Sequence, residues 1–151
     1  MFLSFDQSKF ISFWELSMTM SSIIFQFQST IILGLLFYGA SRARKNRQQH
    51  VKIMTSAIAW DLILVLQIEL SRKAINTATQ VTSNSLLMNY HISVAVTVVV
   101  LYGVLFYLGR QIQKSPENYQ RFIKQHKFIG ILTLLLRTST YITAFMIKKS
   151  V

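Results

Sequence analysis

Cysteine is absent from the 151 residues, so the chain has no disulfide framework, no thiolate metal site, no thiol nucleophile and no covalent c-type haem attachment. One proline and five glycines exclude a disordered linker or a collagen-like chain. Acids are also scarce. Five Asp/Glu stand against sixteen Lys/Arg, and charged residues make up only 14% of the chain, where a soluble domain carries about 25%. No Gly-rich phosphate loop, nucleophile–base–orienter set or paired-carboxylate site occurs, so hydrolase and kinase chemistry are set aside and no enzyme is expected.

What remains is apolar residues in long runs. Four stretches are long enough to cross a bilayer, which takes about 20 residues: Met18–Tyr38, Ile53–Leu70, Leu86–Leu108 and Phe128–Ile147. The third is β-branched through Val94–Val100, yet its length and its three companions predict a lipid-embedded helix. The first carries Ser21, Ser22, Gln26, Gln28 and Ser29, a polar stripe expected to face neighbouring helices. The fold class that follows is an all-α polytopic membrane protein with four helices in an up-down bundle over 18–151. Ahead of it, residues 1–17 carry Phe2, Phe5, Phe10, Phe13 and Trp14. They read as an interfacial helix, or alternatively as a partner-docking tail. Asp6, Lys9 and Glu15 there replace the basic start of a cleaved signal peptide.

The cations are bunched between the spans. Arg42, Arg44, Lys45, Arg47 and Lys52 surround the first loop, and Arg110, Lys114, Arg121, Lys124 and Lys127 surround the third. The opposite side has Lys9, Arg72, Lys73, Lys148 and Lys149. Ten against five places loops one and three inside and both termini outside. Topology thus accounts for the basic charge without nucleic acid as a partner; membrane lipids and other membrane subunits are the expected ones. The bilayer would be a bacterial cytoplasmic membrane or an organelle inner membrane.

Gly34-Leu35-Leu36-Phe37-Tyr38 and Gly103-Val104-Leu105-Phe106-Tyr107 each precede a basic loop and then Gln-His, at Gln49-His50 and Gln125-His126. This is the pattern of a tandem hairpin repeat in one orientation. Asp61 and Arg137 sit midway along spans two and four, where a charge facing lipid costs several kcal/mol. Each lies eleven residues after its histidine. Eleven residues is about three turns, so His50 shares a face with Asp61 and His126 shares one with Arg137, ~16 Å apart along the axis. Both faces are expected to look inward, with Asp61 and Arg137 level near the midplane as an ion pair.

Two imidazoles level at the inner boundary fit axial ligation of a b-type haem. Spans two and four are diagonal in an up-down bundle, with axes ~12–14 Å apart, too wide for direct imidazole–imidazole bonding yet suited to an iron between them. Gly130 and Ala57 leave room beside the rings for a flat macrocycle, although small residues also serve helix packing. Alternatives remain: imidazoles touching headgroups or loop carbonyls, a Cu(I) site from His50, Met54 and His126, a proton pathway through Asp61 and Arg137, or Arg137 holding an acidic group such as a haem propionate. At the outer boundary His91 and Glu69 are level and in reach of one another; Arg72 and Lys73 are nearer partners for Glu69 along its own helix.

The order basic loop, His50, span, Tyr90-His91, span, Arg121, His126, Gly130 and the last span ending TYITAFMI resembles a family of small four-helix membrane proteins. That family, long filed as a domain of unknown function, is linked to assembly of haem–copper oxidases. The resemblance covers residues 30–147. It implies a membrane protein that assists assembly or stability of a respiratory oxidase, through haem handling or by stabilising the haem-bearing subunit. Arg137 and Thr143-Ala144 stand where that family carries an aromatic-rich Trp…Thr-Gly ending. In architecture the chain is also similar to two-histidine membrane cytochromes of the b561 type, which implies an electron-carrying alternative. A cofactor-free accessory subunit of a larger membrane complex is the third reading.

Overall fold

The structure is a computed structural model that describes the backbone of residues 7–79, 86–114 and 117–149, with side chains over 20–71, 86–114 and 117–146. All the described elements are helices: α1 (Gln7–Arg42), α2 (Arg47–Thr79), α3 (Leu86–Lys114) and α4 (Tyr119–Lys149). Each contains a stretch long and apolar enough to cross a membrane: Met20–Arg42, Arg47–Ser71, Leu86–Lys114 and Tyr119–Met146. In hydrocarbon every backbone N–H and C=O must be satisfied within the chain, which helices achieve locally. The four form the expected up-down bundle.

The helices overrun the apolar runs. α1 has 36 residues and α2 has 33, rises of roughly 54 and 50 Å, well beyond the ~30 Å hydrocarbon core. Most of the basic residues assigned to loops one and three therefore stand on helix ends. Arg42 closes α1, Arg47 opens α2, and Lys114 closes α3. Lys and Arg are good helix formers, and at a helix C-terminus their charge complements the macrodipole. The surviving first connection is Ala43–Asn46. The Arg42 carbonyl accepts from the amides of Lys45 and Asn46, and the Asn46 side-chain Oδ1 caps α2 by accepting the Gln49 N–H at 3.0 Å. α3 stops two residues before Pro116, whose ring disfavours helix at the residue ahead of it. The interfacial helix expected within 1–17 is, from Gln7 onward, continuous with α1; residues 1–6 lie outside the described residues.

Helix packing is extensive within two hairpins, α1–α2 and α3–α4, which meet mainly where α4 touches α1. α2 and α3 make no comparable approach. The core of the first hairpin is Ile32, Leu36, Ala57 and Leu64, with Met54, Ile58 and Leu134 packed against it. On α4 the buried face is polar instead: Thr133, Arg137, Thr140 and Thr143 are all buried, at spacings of four, three and three. A helix surrounded by lipid gains nothing by turning apolar residues inward, so its polar groups do so and find partners there.

Candidate functional site

Asp61 of α2 is 2% exposed and Arg137 of α4 is 8% exposed. They meet in a bidentate pair, Arg137 Nε donating to Asp61 Oδ2 at 2.8 Å and Nη2 donating to Oδ1 at 2.7 Å. Two parallel charge-assisted bonds of this kind fix geometry as well as charge. Tyr102 of α3 donates its hydroxyl to Asp61 Oδ2 at 2.6 Å. Arg137 also donates from Nη1 to Thr140 Oγ1 at 3.2 Å and from Nη2 to Ser29 Oγ of α1 at 2.9 Å. Every helix thus contributes to a single network, in which Arg137 places four of its five N–H donors on protein oxygens.

At the basic end, His50 and His126 come from different hairpins, and their ring centroids are 6.3 Å apart with planes at 82°. His50 Nδ1 bonds the Gly39 carbonyl of α1 at 2.8 Å, which fixes the ring and leaves Nε2 as the nitrogen for a ligand. His126 packs beside Gly109 of α3, and its Nδ1 is buried with no hydrogen-bond partner. The two hairpins repeat one device, a histidine of the second helix set on a glycine of the first. Gly34 and Gly103, the glycines of the sequence repeat, both face open space instead.

The separation of the two rings can be compared with that of imidazoles that share a metal. Two imidazole nitrogens each about 2 Å from one metal put the ring centroids a little over 6 Å apart, close to the separation found here. The buried Nδ1 of His126 has no hydrogen-bond partner among the described residues, so it is the nitrogen of that ring left for a ligand. His50 and His126 are then the residues that would hold a haem iron. Ala57 and Gly130 serve helix packing: Ala57 is fully buried among Ile32, Leu36 and Leu64, and a methyl group on Gly130 would touch Leu105 at 3.8 Å. The copper alternative needs the Met54 sulfur, which lies against Gly39 in the α1–α2 seam. Among the described residues no cluster of three or more His, Cys, Asp or Glu is placed to hold a metal ion.

At the end of the bundle away from the basic clusters, His91 shares a 2.7 Å bond between its Nδ1 and Thr143 Oγ1 of α4, rather than reaching across to Glu69. Glu69 is half-buried near the end of the second span, and the side chains of Arg72 and Lys73 lie outside the described residues. Tyr90 and Ser139 bond at 3.2 Å beside His91, and Thr30 and Tyr141 bond at 2.8 Å between α1 and α4. Of the polar stripe on α1, Ser29 reaches the ionic network, while Gln26 Nε2 is buried without a partner.

Tyr102, Thr140 and Gly39 join these contacts without having been singled out in the sequence, whereas Ser29 lies on the stripe expected to face neighbouring helices and its partner Arg137 is what the sequence left open. A signal existed for Thr140, which continues the spacing His126, Thr133, Arg137 along α4. For Tyr102 the clue was weaker: a tyrosine deep in the most apolar span needs a partner for its hydroxyl. No known protein family, curated protein or solved structure matches the chain.

Proposed function

We propose that this protein is a membrane-embedded helper of a respiratory haem–copper oxidase that holds a b-type haem between His50 and His126, and so serves assembly or stability of the oxidase. The observation that carries this reading is the imidazole pair: two rings from separate hairpins, 6.3 Å apart, one oriented by a backbone carbonyl and the other with an unpartnered buried nitrogen. A bound haem would supply one-electron chemistry at its iron. The chain's own part is to bind and orient: Gly39 aims His50, Gly109 gives His126 space, and the Asp61–Arg137–Tyr102 network clamps the two hairpins so that the imidazoles stay in register. The link to an oxidase rests on the resemblance across residues 30–147. The main rival is a cofactor-free accessory subunit. It is favoured by the same ionic network, which would lock the bundle with no haem present.

Oxidase assembly provides the test. In membranes of a host lacking this protein, the haem-loaded oxidase should fall, and the wild-type chain should restore it. His50→Ala and His126→Ala should each fail to restore it while accumulating in the membrane. Full restoration by both variants would put the accessory-subunit reading ahead.

The proposed placement is a bacterial cytoplasmic membrane or an organelle inner membrane, with the connections after α1 and α3 inside and both termini outside. The ten-to-five bias of Lys/Arg supports it. Because the chain has no cysteine, single cysteines at Ser41, Ser71, Ser115 and Ser150 report without background. Ser41 and Ser115 should label from one side, Ser71 and Ser150 from the other. Labelling of Ser41 and Ser150 from the same side contradicts the orientation.

A further inference from the structure

Beside the first turns of α2, a cleft is lined by Arg47, Gln48, Val51 and Lys52 of α2 and by Gln113 of α3. We propose that it receives an anionic phospholipid from the leaflet on the basic side of the bundle, with an acyl chain along the apolar cleft and the phosphate at the charged ends of Arg47 and Lys52 on its rim. Arg47 begins the second apolar span and Gln113 stands next to the end of the third, so the cleft lies at the hydrocarbon boundary, where lipid phosphates lie.

Its charge has no answer within the described protein. The surrounding end of the bundle carries the ten cations of the two basic clusters, with Glu117 as the one acid near them in sequence. Some of these cations are engaged: Arg42 bonds the Tyr38 hydroxyl and lies over its ring, and Arg110 lies over Phe106. Among the described residues, neither Arg47 nor Lys52 has a side-chain hydrogen bond or an ion pair.

A lipid fits better than a soluble anion because the cleft joins this polar rim to an apolar wall at Val51, and α2 and α3 do not close against each other. A groove open to hydrocarbon and capped by cations suits an acyl chain and its headgroup together. Around α2, Val51 and Lys52 stand about 100° and 160° from His50, whereas Arg47, three residues earlier, stands about 60° from it.

The test uses the full chain, stripped of lipid in a non-ionic detergent and titrated with phosphatidylglycerol, phosphatidylcholine or inorganic phosphate under native mass spectrometry. The wild-type protein should retain one phosphatidylglycerol in preference to phosphatidylcholine, and inorganic phosphate should not displace it. The R47Q/K52Q variant should bind phosphatidylglycerol about thirtyfold more weakly, roughly fivefold per cation. The charge-matched R121Q/K124Q variant should bind as wild type, and R47K/K52R, which keeps both charges, should retain the lipid. Equal loss in R121Q/K124Q, equal retention of phosphatidylcholine, or displacement by inorganic phosphate would each overturn the proposal.

Discussion

Replacing Asp61 alone or Arg137 alone by alanine should destabilise the bundle by about 3–5 kcal/mol, the largest stability effect expected of any single substitution in the chain. Each change strands a buried charge whose partner supplied two hydrogen bonds, and Asp61→Ala also orphans the Tyr102 hydroxyl. Removing both groups together, as Asp61→Leu with Arg137→Met, should cost much less than the two single losses summed, because no uncompensated charge is left. Denaturant titration of the purified protein in detergent, followed by circular dichroism, measures all three. Additive losses would mean that the two side chains act separately.

Gly39→Leu should be the second large loss, about 1–3 kcal/mol, and it should reach His50 as well. A Cβ at position 39 would stand 2.8 Å from the Met54 sulfur and 3.0 Å from Ile53 Cγ2. Met54 is flexible and can give way to a methyl group. The rest of a leucine side chain would push α1 and α2 apart. The same shift moves the Gly39 carbonyl that orients the His50 ring. Gly34→Leu and Gly103→Leu serve as controls, because nothing lies within 4 Å of a Cβ at either. Thermal unfolding of the three variants should show the loss at position 39 alone. Equal losses at all three would mean that the close approach of α2 at Gly39 does not set the effect, since leucine favours helix over glycine at every one of them.

The span count and the inward face of α2 and α4 were legible because lipid imposes a minimum run length and the helical period is fixed. His50 with Asp61, and His126 with Arg137, share faces by simple counting. That Arg137 meets Asp61 follows from the cost of leaving either charge in hydrocarbon. Helix ends were not legible: Arg42, Arg47 and Lys114 look like loop residues because they are charged, yet charge at the membrane boundary does not stop a helix. The partners of Tyr102 and Ser29 escaped for another reason. Their roles depend on the depth of α3 and α1 relative to α2, which is settled by side-chain packing and leaves no local mark. Gly39 and Gly34 are equally plain as letters, and only the neighbour across the seam separates them. At the end away from the basic clusters, His91 and Glu69 are level in sequence terms, but His91 bonds Thr143, whose approach depends on how α4 packs along α3.

The absorption spectrum of the purified chain during titration with haem tests the imidazole pair most directly. A Soret band should grow to saturation at about one haem per chain, and it should be lost in both His50→Ala and His126→Ala, since the two rings share one iron. His91→Ala should leave it intact, because that ring is bonded to Thr143 near the opposite boundary. No band in the folded wild-type protein, or a band unaffected by either histidine substitution, would contradict the assignment of His50 and His126 as haem ligands.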